Sequence, residues 1–178
     1  AVMIRAAVIV SGDGPEIQNL LDGNYFHEVP GLEIAGVVAT SSESGALLRA
    51  KSANVPAYCV DSAIFPNAAT FTRALLTKLQ DIDALLAVLV AVSPEPGESF
   101  YREYSGRCVC LRLERDGGSL YATAILADAD GSEARRLGSV SVPLVPGETA
   151  AGARRRLAQN GAGELLNGAL KRYMRECH

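Results

Sequence analysis

Three groups of residues in this chain could do chemistry. Cys108 and Cys110 stand two apart, the spacing that puts both side chains on one face of a strand. A thiolate there could attack an electrophile, but a nucleophile needs a base within hydrogen-bond reach. Arg112, next on the same face, is always protonated and cannot accept a proton near neutral pH. The two histidines, His27 and His178, lie far away in the sequence, so the thiols read as packing. The second group is the turn Ser11-Gly12-Asp13-Gly14 with Pro15-Glu16 after it. Backbone N–H groups of such a turn, opening into a helix, suit phosphate. Ser11, Gly12, Asp13, Gly14 and Glu16 are therefore the candidate ligand-binding set for a small anionic metabolite. Against a dianion stand the missing N–H of Pro15 and the negative charge of Glu16. Pro15 at a helix start and Glu16 beside the positive helix end fit a purely structural role equally well. The third group is Asp128 and Asp130, just before Gly131: carboxylates that could assist catalysis or simply form a turn.

Other reactive-looking features reduce to ordinary chemistry. Two histidines without a carboxylate cluster give no zinc or two-metal site, so no metal is expected. Cys59 and Cys177 complete four cysteines with no CxxC spacing, the pattern of reduced thiols. Arg154-Arg155-Arg156 reads as a solvated helix face.

The elements that must position these residues follow from periodicity. An apolar, β-branched run over residues 4–10, bounded by glycine, predicts a strand buried on both faces, as in a parallel sheet. Further strands are expected over 33–39, 56–60 and 85–92, and helices after 15, after 44 and over 67–80. In the last of these, Phe71, Leu75, Leu76 and Leu79 share one face. The alternation of strand and helix predicts a doubly wound, mostly parallel α/β sheet with right-handed crossovers. A short helix over 96–104 then leads into strands over 108–113, 120–127 and 140–144. The tight turns Asp116-Gly117-Gly118 and Asp128-Ala129-Asp130-Gly131 make these additions antiparallel. One long helix from 146 onward, striped by Leu166, Leu170, Tyr173 and Met174, closes the chain.

Composition bounds the function. The 178 residues carry Lys+Arg 17 against Asp+Glu 20, a formal charge of −3, so the basic footprint of a nucleic-acid binder is missing. With 48% apolar and 21% charged residues the chain is neither disordered nor membrane-spanning. The longest apolar run, 84–92, is about half of what a bilayer requires. No secretory signal is read, and the expectation is one cytoplasmic domain over 1–178.

Several motifs, taken in order, carry a resemblance. Val8-Ile9-Val10-Ser11-Gly12-Asp13-Gly14-Pro15-Glu16-Ile17-Gln18 resembles an apolar strand followed by Ser-Gly-x-Gly-Ser-Asn-Leu-Gln. Residues 34–41, Tyr104-Ser105-Gly106-Arg107, and the run 142–149 ending in Pro146-Gly147-Glu148-Thr149 resemble further motifs of the same family. That family is phosphoribosylglycinamide formyltransferase, the folate-dependent enzyme of purine synthesis, and the likeness spans nearly the whole chain. It implies a formyltransferase-like, Rossmann-like fold, with 10-formyltetrahydrofolate as cofactor only if the activity is retained. The family's Asn-x-His-Pro-Ser has here become Cys110-Leu111-Arg112-Leu113-Glu114, and its Pro-rich loop is missing. Its Gly-Phe-Met-Arg segment is replaced within 86–94, and its Asp-Gly-Gly-Pro aspartate has only Asp128 and Asp130 as counterparts. The resulting expectation is a divergent homologue without folate-dependent formyl transfer that binds a small anionic metabolite and needs no cofactor. The alternatives are an active transferase with a rearranged site and a structural subunit that pairs with itself.

Overall fold

The computed structural model describes residues 3–177. His178, weighed above as a base, lies outside the described residues. β1 (Ile4–Val10), β2 (Leu32–Ala39), β3 (Ala57–Cys59) and β4 (Leu86–Val90) form the parallel part of a seven-stranded sheet. β5 (Arg107–Asp116) pairs in parallel with β4, and β6 (Ser119–Ala127) and β7 (Glu133–Pro143) extend it antiparallel. The order across the sheet is β3-β2-β1-β4-β5-β6-β7. The doubly wound, mostly parallel architecture with an antiparallel end is therefore as the sequence predicts.

Both faces of the sheet are covered, which explains the unbroken apolar runs of β1 and β4. Ala6, Val8 and Val10 of β1 pack with Ile17, Leu20 and Leu21 at α1 (Gln18–Asn24) and with Ala46 and Ala50 of α2 (Ala46–Ser52). Leu157 of α5 (Ala150–Leu157) and Leu166 and Leu170 of α6 (Gly163–Glu176) complete that layer. Ala7 and Ile9 face the opposite way, onto Phe71, Leu75 and Leu79 of α3 (Ala68–Ile82) and Phe100 of α4 (Glu98–Glu103). Asn67 caps α3 by accepting from the Thr70 N–H at 2.9 Å.

Two elements depart from expectation. The final helix is broken: α5 ends at Leu157 and α6 begins at Gly163, with a wide turn between them. Gly161 makes the break, at φ 132°, where a side chain would strain the backbone. A Cβ there would also lie 2.8 Å from a Val140 methyl. The last strand begins at Glu133 rather than 140, because β7 is an edge strand and its outer half is polar. No helix among the described residues is long and apolar enough to cross a membrane.

β1 leads to β2 and β3 on one side, whereas β4 and β5 lie on the other. The carboxyl ends of β1 and β4 thus flank a topological switch point, the place where open α/β sheets bind ligands.

Candidate functional site

Ser11 leaves β1 at this switch point and faces inward. Its buried hydroxyl meets the Thr40 hydroxyl at 2.6 Å and accepts from the Ser93 N–H at 2.9 Å. It ties together the ends of β1, β2 and β4, and so acts first as a strut.

The turn that follows is held by its carbonyls. Ser11 O accepts from Arg154 Nη1 at 2.8 Å, Gly12 O from the Ser44 hydroxyl at 2.5 Å, and Asp13 O from Arg49 Nε at 2.8 Å. Gly12 and Gly14 sit at φ 72° and 62°, values glycine adopts freely. The N–H groups of Gly12, Asp13 and Gly14 have no protein acceptor among the described residues. Asp13 is exposed, and its carboxylate accepts from the Gly45 N–H at 3.2 Å.

Glu16 does not face this turn from solvent. It is fully buried, and its two oxygens accept from Nε and Nη2 of Arg154 at 2.7 and 2.8 Å. Arg154 is therefore not part of a solvated helix face, as the run of three arginines had suggested. It turns inward from α5, and its Nη1 occupies the space a Cβ on Gly12 would need. Arg156 is likewise engaged, with Glu148 at 2.8 Å, while Arg155 is exposed. Arg115 and Arg155 line a largely apolar cleft of about 480 Å³ beside Gly12, Asp13 and Pro15, and neither has a salt-bridge partner among the described residues.

A second cleft, of about 430 Å³, shares Arg154 and Leu113 with the first and lies over the carboxyl end of β4 and along β5. Cys110 and Arg112 are both in its wall, on the strand face expected from their spacing. Burial pushes the Cys110 thiol up to about 11, with Arg112 acting in the opposite direction. Tyr101 Oη lies 3.9 Å from Cys110 Sγ, and burial raises that phenol as well. Both groups are thus neutral near pH 7. Arg112 gives Nη2 to Gly131 O at 2.6 Å and to Glu95 at 2.9 Å, and its Nε is buried without an acceptor among the described residues.

Asp128 and Asp130 lie apart from that wall. Asp128 accepts from its neighbour's N–H, on Ala129, at 2.8 Å. Asp130 accepts from the Ser132 N–H and hydroxyl, and these bonds hold its carboxyl below the usual range. Both are exposed and serve the turn at Gly131, whose φ is 85°. His27, also exposed, is in the loop before β2, at the amino ends of the parallel strands, whereas both clefts lie toward the carboxyl ends. Sequence reasoning missed Arg154, Glu95 and Tyr101. Glu16 and Arg154 are 138 residues apart, and no local pattern links them.

No family model and no curated protein matches the chain. Solved structures do. Glycinamide ribonucleotide transformylase 1 from Symbiobacterium toebii is 22% identical with a TM-score of 0.79, over 97% of this chain and 88% of that one. The enzyme of the same name from Geobacillus kaustophilus is 23% identical with a TM-score of 0.75, over 95% and 97%. Phosphoribosylglycinamide formyltransferase from Campylobacter jejuni is 14% identical with a TM-score of 0.77, over 98% and 99%. Coverage at both ends of the comparison, a seven-stranded mixed sheet and a cleft at the switch point lead to one conclusion: this chain has the fold of the phosphoribosylglycinamide formyltransferases.

Proposed function

We propose that this protein binds a small anionic metabolite in the groove beside Gly12, Asp13 and Gly14, and does not carry out folate-dependent formyl transfer. The observation that carries the reading is the state of the β5 wall. Attack of an amine on a formyl carbon requires a group to take the amine proton and donors aimed at the developing oxyanion. Cys110 is a buried neutral thiol, and Arg112 is a cation held by Gly131 O and Glu95. Neither can act as the base. This wall therefore lacks the base that formyl transfer from a bound folate would need. Asp128 and Asp130 remain carboxylates engaged in their own turn.

The anion half of the reading is supported by the opposite end of the groove. Arg154 neutralises Glu16, so that carboxylate no longer repels a ligand at the turn. Arg115 and Arg155, without a salt-bridge partner among the described residues, supply positive charge, with Gly12 and Asp13 in the same cleft wall. Ser11 contributes by fixing the turn rather than by touching the ligand. The reading asks for no cofactor.

Two measurements test the two halves. Incubation with 10-formyltetrahydrofolate and glycinamide ribonucleotide should give no formylated product. Turnover near the enzymatic median of about 10 per second would sink the first half. Calorimetric titration with ribose 5-phosphate at low salt should give binding that weakens about fivefold in Arg155→Ala, the worth of one exposed charge. Wild-type protein that takes up no ribose 5-phosphate or inorganic phosphate would sink the second half.

A further inference from the structure

We infer that the cleft between the β4–α4 connection and β5 is a site for a small monocarboxylate, held by Arg112 in place of Glu95. It rests on groups other than those of the anion groove at the Gly12 turn, and either can fail without the other.

The two guanidiniums of the groove differ in how completely their forks are filled. Arg154 gives Nε and Nη2 to the two oxygens of one carboxylate, at 2.7 and 2.8 Å. This is the arrangement the planar fork is built for. Arg112 gives only Nη2, shared between Gly131 O at 2.6 Å and one oxygen of Glu95 at 2.9 Å. Its Nε is buried without an acceptor among the described residues, and the guanidinium lies against Tyr101 and Cys110 of the same wall. Buried donors are nearly always satisfied, so an empty one beside an open cleft marks an unfinished site. One carboxylate that takes the place of Glu95 on Nη2 and turns its second oxygen toward Nε would finish it.

Glu95 is poorly placed for that task. Its side chain is 54% exposed and reaches Arg112 from the edge of solvent, where an ion pair contributes little. A ligand carboxylate reaching the same guanidinium from within the cleft can displace it outward. The space is sufficient: about 430 Å³, within the range of small-molecule sites. Leu89, Val92, Tyr101, Leu111 and Leu113 supply apolar walls, so the acid should carry a compact apolar or aromatic body. Glu114 also lines the cleft, and with Glu95 it disfavours a second negative charge. Dicarboxylates and phosphates are selected against, which separates this ligand from the one proposed at the turn.

Benzoate is a suitable probe, with benzamide as its uncharged counterpart of the same shape, titrated calorimetrically into the whole protein. Benzoate should bind and benzamide should not. Glu95→Gln, a change in an exposed loop, should tighten benzoate roughly fivefold by removing the internal competitor. Arg112→Lys keeps the charge but lacks the fork, and should weaken benzoate about tenfold while leaving phosphate binding at the turn unchanged. Three results would each overturn the assignment: no benzoate binding, equal binding of benzamide, or a Glu95→Gln variant that binds benzoate no better than wild type.

Discussion

At the scale of single residues, the Glu16–Arg154 pair is the most buried ion pair among the described residues. Glu16 is fully buried and the Arg154 side chain is 16% exposed, whereas the partners in the Arg135–Glu176 and Arg172–Glu176 pairs are about two-fifths exposed. Exposed pairs contribute little; a buried pair is costly to halve, because the remaining charge has no water and no partner. Arg154→Ala should therefore lower unfolding stability by about 3–5 kcal/mol, measured by urea denaturation. Replacing both at once, Glu16→Leu with Arg154→Met, should cost less than Arg154→Ala alone. A single variant that loses under about 1 kcal/mol would show that water reaches Glu16 in solution. The sequence made Glu16 visible as a helix-start acid and Cys110 and Arg112 visible as neighbours on a strand. It could not show that Glu16 would be neutralised from within, because the partner arrives from the far end of the chain.

At the scale of elements, the break at Asn160 and Gly161 separates α5, which carries Arg154, from α6. A straight helix would run on from Leu157, whereas the turn at Asn160 and Gly161 lets α5 and α6 pack at separate angles on the same sheet face. Gly161→Ala must place a side chain at φ 132° and bring a Cβ within 2.8 Å of Val140. The expected loss is about 1–3 kcal/mol of stability, read as a lower Tm. Adding Val140→Ala relieves the contact but not the backbone, so it should restore only part of the loss. The strands of the parallel half were legible because unbroken apolar runs have few alternatives to a sheet covered on both faces. The break was not legible, since an isolated glycine inside an amphipathic pattern is tolerated at a modest cost and does not by itself end a helix. β7 was under-read for a related reason: an exposed edge has no apolar alternation to mark it.

At the scale of the whole molecule, alkaline stability should be set by the buried groups of the β5 wall. Burial holds Cys110 protonated up to about 11 in the folded protein, against an ordinary value of 9.0. Between those two values the unfolded chain has lost its proton while the folded one retains it. Stability is thus undiminished below about pH 9 and falls as pH rises toward 11, on the order of 3 kcal/mol from this thiol alone. Tyr101, Tyr104 and Cys108, all raised by burial, act in the same direction at higher pH. Urea midpoints between pH 8 and 11 should fall in the wild type and fall less steeply in Cys110→Ala. Parallel slopes in the two proteins would remove Cys110 from the account.

The separation of 138 positions between Glu16 and Arg154 also orders events during synthesis. β1 and the turn after it emerge first, and the parallel strands that flank them can pair before the antiparallel end exists. Until α5 follows, Glu16 has no cation to accompany it into the core, and desolvating a lone carboxylate is strongly unfavourable. The growing chain must keep this turn hydrated, and with it the face that Ile17, Leu20 and Leu21 later cover, until α5 is made. The first half of the protein is in this sense a waiting template. Arg154 is the part whose arrival lets Glu16 enter the core.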